Sequence, residues 1–172
     1  MKLTCLAALL ALAPAATFAQ DRSGGYIGAQ VGGSDIDVDG APLDGDGTSF
    51  GIYAGYNIDA GGIVYGVEVD LDETDYQLSD DAGEIDSTTR LKIRAGAPMG
   101  TGLAYGTIGY VGVTSDDLGD DNGYLIGAGY DMPVSNNISV GGEVLYHEFE
   151  DYNDTGLDVG ATTFKARVAF NF

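Results

Sequence analysis

The chain has 172 residues and a formal net charge of −20, from 27 acidic and 7 basic residues. Its length predicts a single domain, and its charge disfavours nucleic acid and other polyanions as partners while favouring divalent cations and basic partners. With no run of 18 apolar residues and no apolar period of 3.6, the sequence predicts neither a transmembrane helix nor a helical protein.

The first 19 residues have the features of an export signal. Lys2 supplies a positive charge, residues 6–13 form an apolar run too short to span a bilayer, and small residues at Thr17 and Ala19 precede Gln20. We therefore expect a signal peptide at 1–19 and a mature chain at 20–172, the latter without cysteine.

From residue 25 onward, apolar and polar residues alternate with a period of two, which predicts strands. In the last of them, Phe164, Ala166 and Val168 fall on one face while Lys165 and Arg167 fall on the other. Strand 102–114 is so rich in glycine that its faces cannot be assigned. The predicted strands are 25–33, 48–58, 63–72, 88–97, 102–114, 123–132, 137–149 and 162–172. Each is close to the ~9–11 residues that a tilted transmembrane strand requires.

Long and short connections alternate between these strands. The short ones are 59–62, 98–101 and 133–136, and the long ones are 34–47, 73–87, 115–122 and 150–161. The long connections hold 19 of the 27 acidic residues and no lysine or arginine. Such alternation is typical of outer-membrane barrels, whose long connections are extracellular loops.

The composition of the two faces indicates which one lies inside. A soluble lipocalin-like barrel would turn its apolar face inward. Here the apolar faces lack charge within the span, except for Glu148 at a strand end, as contact with lipid requires. The polar faces are mostly glycine with matched charges, which predicts a charge network in the lumen. Its residues are Glu68, Asp70 and Asp72 opposite Arg90, Lys92 and Arg94, and Glu143 near Lys165 and Arg167.

Four short segments carry a family resemblance: Tyr26-Ile27-Gly28-Ala29, Gly127-Ala128-Gly129-Tyr130, Gly142-Glu143-Val144-Leu145-Tyr146 and the terminal Phe170-Asn171-Phe172. In this order the chain resembles small outer-membrane β-barrels such as the OmpA-like transmembrane domain, OmpX-like proteins and opacity-type surface proteins. The resemblance implies that residues 20–172 form an outer-membrane β-barrel domain: an all-β, eight-stranded, antiparallel up-and-down transmembrane barrel. It also implies a monomer surrounded by outer-membrane lipid and lipopolysaccharide. No peptidoglycan-binding domain follows the barrel, so a tethering role is not expected.

Two roles are compatible with the charge network. It can fill the barrel and fix the register of its strands, leaving a structural or surface role in envelope integrity, cation binding or adhesion through the acidic loops. Alternatively, its ion pairs can exchange partners and open a narrow, cation-preferring channel. We favour the first.

One acidic segment resembles a calcium loop. Asp35, Asp37 and Asp39 precede Gly40, and Asp46 stands at the twelfth position, as in an EF-hand. The aspartate at position twelve is one carbon shorter than the usual glutamate, and predicted flanking helices are absent. We therefore expect loose binding of Ca²⁺ or another divalent cation, bridging to lipopolysaccharide phosphates, rather than a specific site. No other cofactor is expected.

His147 is the only histidine. In the lipid A deacylase arrangement a serine follows the histidine by two residues, whereas this chain has Phe149 there. We expect His147 to be hydrogen-bonded in the lumen or at its rim, and the protein not to be an enzyme.

Overall fold

The computed structural model describes residues 22–38, 44–78, 84–114, 121–149 and 159–172. Within these ranges the chain forms eight antiparallel strands that pair in sequence order and close as β8 pairs with β1. This confirms the predicted all-β, eight-stranded, up-and-down barrel. The strands are β1 (Gly24–Val38), β2 (Asp44–Asp59), β3 (Val64–Leu78), β4 (Glu84–Met99), β5 (Gly102–Thr114), β6 (Asp121–Pro133), β7 (Ile138–Phe149) and β8 (Val159–Asn171).

The predicted signal peptide, residues 1–19, lies outside the described residues and stays a prediction. In the described part of the chain, no helix is both long and apolar enough to cross a membrane.

The strands are staggered around the barrel. A path that starts at Ile27 and follows paired residues through all eight strands returns to β1 at Asp37, ten residues farther along. Such a stagger tilts the strands against the barrel axis. Residues that are not paired along the ladders therefore reach the same height in the lumen.

The first four strands extend farther than the sequence predicts. They have 15 or 16 residues, whereas β5 to β8 have 12 or 13. The prediction that 34–47 and 73–87 are entirely loops was wrong, since β1 pairs with β2 at Asp37 and Asp44, and β3 pairs with β4 at Tyr76 and Ile85. Strands β6 and β8 likewise begin within the predicted connections 115–122 and 150–161. Aspartate and glycine have low strand propensity, but a neighbouring backbone that completes the ladder outweighs that preference.

The apolar faces point outward, as predicted, and are exposed on every strand. Representative side chains are Val31, Ile52, Val69, Ile93, Ile108, Ile126, Val144 and Phe164. An apolar belt on all sides would promote aggregation in water, whereas hydrocarbon covers it without cost to the paired backbone. This belt therefore identifies the barrel as a transmembrane one.

The structure also assigns the faces of β5. Leu103, Tyr105, Thr107, Val111 and Val113 are buried inside the barrel. The sequence could not show this, because β5 carries apolar residues on both faces. Toward the ends of the strands that lead into the long connections, β5, β6 and β7 contribute a buried group that we call the inner apolar cluster. It consists of Val111, Val113, Leu125, Leu145 and Phe149.

Several inward glycines make room for the tyrosines of neighbouring strands. A Cβ atom added to Gly28 would overlap the carbonyl oxygen of Val168 and the ring of Tyr53. Outward Gly106 differs, since the nearest atom to an added Cβ is the carbonyl oxygen of Gly127 at 3.8 Å, an ordinary contact. Glycine is thus required by packing at the first position and not at the second.

We predict that Gly28→Ala destabilises the barrel by about 1–3 kcal/mol, because the added methyl group overpacks the interior. The measurement is urea unfolding in lipid vesicles, in which the folded fraction is read from the gel mobility of the barrel. Gly106→Ala is the matched control and should leave the unfolding midpoint unchanged or slightly raised. Equal destabilisation by both substitutions would contradict this account.

Candidate functional site

The lumen is occupied by charged side chains at inward positions of β3, β4, β6, β7 and β8. Five acidic and five basic groups take part, so their formal charges cancel. We call them the lumen charge network: Glu68, Asp70, Asp72, Asp131, Glu143, Arg90, Lys92, Arg94, Lys165 and Arg167. All except Asp131 are buried, and they include the nine residues that the sequence analysis singled out.

Lys92 lies at the centre of this network. Its Nζ atom is 2.6 Å from Glu68, 2.9 Å from Asp70 and 2.9 Å from Glu143. The first two carboxylates are on the adjacent strand β3, and the third is on β7, across the lumen. One ammonium group therefore joins two separate parts of the barrel wall.

The other lysine also crosses the lumen. Lys165 on β8 lies 2.6 Å from Asp72 and 3.1 Å from Asp70 on β3. In the strand register it is paired with Glu143, and the sequence analysis expected contact between these two. Glu143 instead binds Lys92 and Arg167, because the narrow, staggered barrel brings side chains together across its interior.

Two arginines close the end of the network nearest the short turns. Arg167 lies 2.7 Å from Glu68 and 3.1 Å from Glu143. Arg94 lies 3.1 Å from Glu68 and 2.6 Å from Asp131. Asp131 is the network residue nearest to water, with a side chain that is 23% exposed.

Tyrosine rings support these arginines. The guanidinium of Arg94 lies 3.6 Å from the ring centre of Tyr105, and that of Arg167 lies 3.9 Å from the ring centre of Tyr53. Tyr26 donates a hydrogen bond of 2.8 Å to Glu68. A cation over an aromatic face gains electrostatic stabilisation where water is excluded.

The sequence analysis missed Asp131 and these three tyrosines as part of the site. Asp131 and Tyr53 occupy inward positions of β6 and β2, so the alternation alone could have identified them. Tyr105 could not be found in this way, because the faces of β5 were unassigned.

His147 is buried beside the network. Arg90 donates from Nε to Nε2 of His147 at 2.9 Å and also pairs with Asp72. Since Nε2 accepts a hydrogen bond, the ring proton is assigned to Nδ1, which donates to the carbonyl oxygen of Ala161 at 3.3 Å. Both ring nitrogens are therefore engaged within the protein.

The network ties the strands to one register. Burying these ions is unfavourable unless each has partners, and a slip of one residue would turn a whole strand's charges toward lipid. The arrangement can therefore specify the barrel and fill its centre.

The predicted calcium residues are only partly described. Asp39 lies outside the described residues, while β1 and β2 place Asp35 directly opposite Asp46 and Asp37 opposite Asp44. In the described residues, the carboxylates that approach closely enough to share a metal ion are Glu68, Asp70 and Glu143 inside the barrel.

A cavity of about 270 Å³ lies at the short-turn end of the barrel. Its polar lining includes Asn57, Asp131, Ser139 and Asn171. Arg22 stands at its rim and donates a hydrogen bond of 2.9 Å to the carbonyl oxygen of Thr101 in the β4–β5 turn.

We predict that Glu143→Gln destabilises the barrel by about 3–5 kcal/mol, because it leaves buried Lys92 and Arg167 short of negative charge. Asp131→Asn is the matched control, since it also changes an acid to its amide but at a site that water reaches. We expect it to cost less than half as much in urea unfolding of the vesicle-inserted barrel. A control that costs as much as Glu143→Gln would argue against burial as the cause.

Comparison with known proteins agrees with this architecture. The "22 kDa outer membrane protein" of Rhizobium leguminosarum bv. viciae is 36% identical over 122 residues, which cover 64% of this chain and 56% of that protein. This chain thus spans little more than half the length of that relative.

Solved structures show the same fold. Neisserial surface protein A is 16% identical with a TM-score of 0.63, covering 87% of this chain and 98% of the other. Ail of Yersinia pestis, in complex with a heparin analogue, is 18% identical with a TM-score of 0.52 and coverages of 86% and 99%. The outer membrane protein beta-barrel domain family matches residues 4–172. The chain belongs to this family and is an outer-membrane protein.

Proposed function

We propose that this protein is a closed barrel with a structural or surface-interaction role. This role is carried out at the outer end, which we define as the end of the barrel that bears the long, acidic connections. The observation that carries the proposal is the separation of charge along the chain. Of the seven basic residues, five are buried in the lumen charge network, Arg22 lies at the short-turn end, and Lys2 belongs to the predicted signal peptide. The long connections contain acidic residues and no lysine or arginine.

The packing of the interior supports a closed lumen. Asp70, Val111 and Leu145 are completely buried, so at their level water does not reach these side chains. The inner apolar cluster covers one wall toward the outer end, and ion pairs cross the centre. An ion would have to displace both. His147 is only 2% exposed, too little for a substrate to reach its ring. We accordingly propose a role that requires neither transport nor enzymatic activity.

Among the described residues of the outer end, the β1–β2 hairpin is the part best suited to bind cations. Its register opposes Asp35 to Asp46 and Asp37 to Asp44. Like charges directly opposite each other destabilise a strand pair, and a divalent cation removes that repulsion. The same ion can bridge to phosphate groups of lipopolysaccharide. Acidic side chains cannot bind these phosphates directly, because both carry negative charge.

The charge of the outer end also limits the class of partner. Ail was solved with a heparin analogue, a polyanion. A polyanion requires basic groups on its receptor, whereas the long connections here offer only acidic ones. For this protein we therefore propose divalent cations and basic surfaces as partners.

We predict that the refolded barrel in zwitterionic micelles binds Ca²⁺ measurably by isothermal titration calorimetry. Asp35→Asn, Asp37→Asn, Asp44→Asn and Asp46→Asn together should remove part of the signal. Asp59→Asn, at the short-turn end, is the control and should not change it. Binding that is the same in the fourfold variant and the control would contradict a role for this hairpin.

The alternative is a narrow, cation-preferring channel. It is favoured by the cavity at the short-turn end, which reaches Asp131 and therefore the edge of the lumen charge network. An acidic outer mouth would concentrate cations if a path existed.

We predict that the wild-type barrel shows no discrete conductance steps in a planar bilayer. Lys92→Ala combined with Arg94→Ala should produce steps, because it removes two side chains that cross the lumen. Insertion of both proteins is verified by the gel mobility of the recovered barrel. Steady cation-selective conductance of the wild type would establish the channel instead.

A further inference from the structure

Three carboxylates converge inside the barrel around a single positive charge. One oxygen each of Glu68, Asp70 and Glu143 lies within 4.8 Å of the others, and all three side chains are buried. The Nζ atom of Lys92 stands among them at 2.6 Å, 2.9 Å and 2.9 Å. These distances are only slightly longer than those between a metal cation and its oxygen ligands.

A second observation also points to a cation. The remaining oxygen of Asp70, Oδ1, is buried and has no hydrogen-bond partner. A buried carboxylate oxygen without a partner is unfavourable, and it is available as a further ligand. The Lys92 ammonium is a compact charge on a flexible stem, so it can occupy a place otherwise suited to a free ion.

We propose that Glu68, Asp70 and Glu143 form a metal-cation site in the lumen that the chain fills with its own Lys92 ammonium. In the wild type the lysine excludes free ions from the site. When the ammonium is removed, a monovalent metal cation of the size of sodium takes its place.

The charge of the network selects a monovalent ion. Five acidic groups balance five basic ones in the wild type, so loss of Lys92 leaves one negative charge in excess. Arg167 still pairs with Glu68 and Glu143, and Lys165 still pairs with Asp70. One sodium ion restores neutrality, whereas a calcium ion would leave a buried positive charge without a partner.

The test uses Lys92→Met, which keeps the unbranched stem of the side chain and removes the charged ammonium group. The full barrel is unfolded and refolded with urea in zwitterionic vesicles, in sodium chloride or in equal concentrations of choline chloride. Choline is too large for the site but has the same effect on ionic strength. Once sodium exceeds its Kd, each tenfold increase should raise the folded-to-unfolded ratio of Lys92→Met about tenfold, with no such rise in choline.

Two controls make the result specific. The wild type should respond equally to sodium and choline, because its site is filled. Lys92→Met combined with Asp70→Asn should lose the preference for sodium, because it restores charge balance and removes a ligand. The proposal is overturned if Lys92→Met responds equally to both salts, or if calcium stabilises it more than sodium. It is also overturned if Lys92→Met fails to refold in sodium while the double variant refolds.

Discussion

The pairing of backbone polar groups within the membrane is the constraint on which this structure depends. Lipid offers no hydrogen bonds, so every strand needs two neighbours, and the pairing of β8 with β1 provides the last of them. Closing a sheet of eight staggered strands leaves an interior only wide enough for side chains. Polar side chains buried in this interior therefore cannot hydrogen-bond to water and must pair with one another. The balanced lumen charge network follows from that geometry.

The same closure arranges the interior in layers. The inner apolar cluster lies toward the long connections, the ion pairs occupy the middle, and the polar cavity opens at the short turns. Two arginines lie where the ion pairs meet the cavity, each between carboxylates and a tyrosine ring. Arg94 lies against Tyr105, and Arg167 lies against Tyr53. The apolar cluster and the ion pairs each exclude water by a different means, whereas the cavity is open to it. The lumen is therefore closed by side chains of different chemical kinds at different heights.

The distribution of charge links this interior to the outer surface. Five of the seven basic residues neutralise carboxylates in the lumen, and the only charged residues of the long connections are acidic. In β1 and β2 the strand register opposes two pairs of aspartates, Asp35 with Asp46 and Asp37 with Asp44. The outer end is proposed to bind cations because the basic residues of the chain lie in the lumen and leave the acidic residues of the long connections without partners of opposite charge.

The sequence by itself determined the class of fold, the number and order of strands and the outward face of most of them. Alternation with a period of two depends only on local geometry and on which face meets lipid. It also identified nine charged residues of the lumen, because their positions have inward parity. Only the tertiary structure decided which charges pair. Lys165 meets Asp70 and Asp72 rather than its ladder partner Glu143, and Lys92 joins β3 to β7. It also decided the faces of β5 and the length of β1 to β4. These features depend on the stagger and closure of the barrel, which bring together residues from distant strands and which no local pattern records.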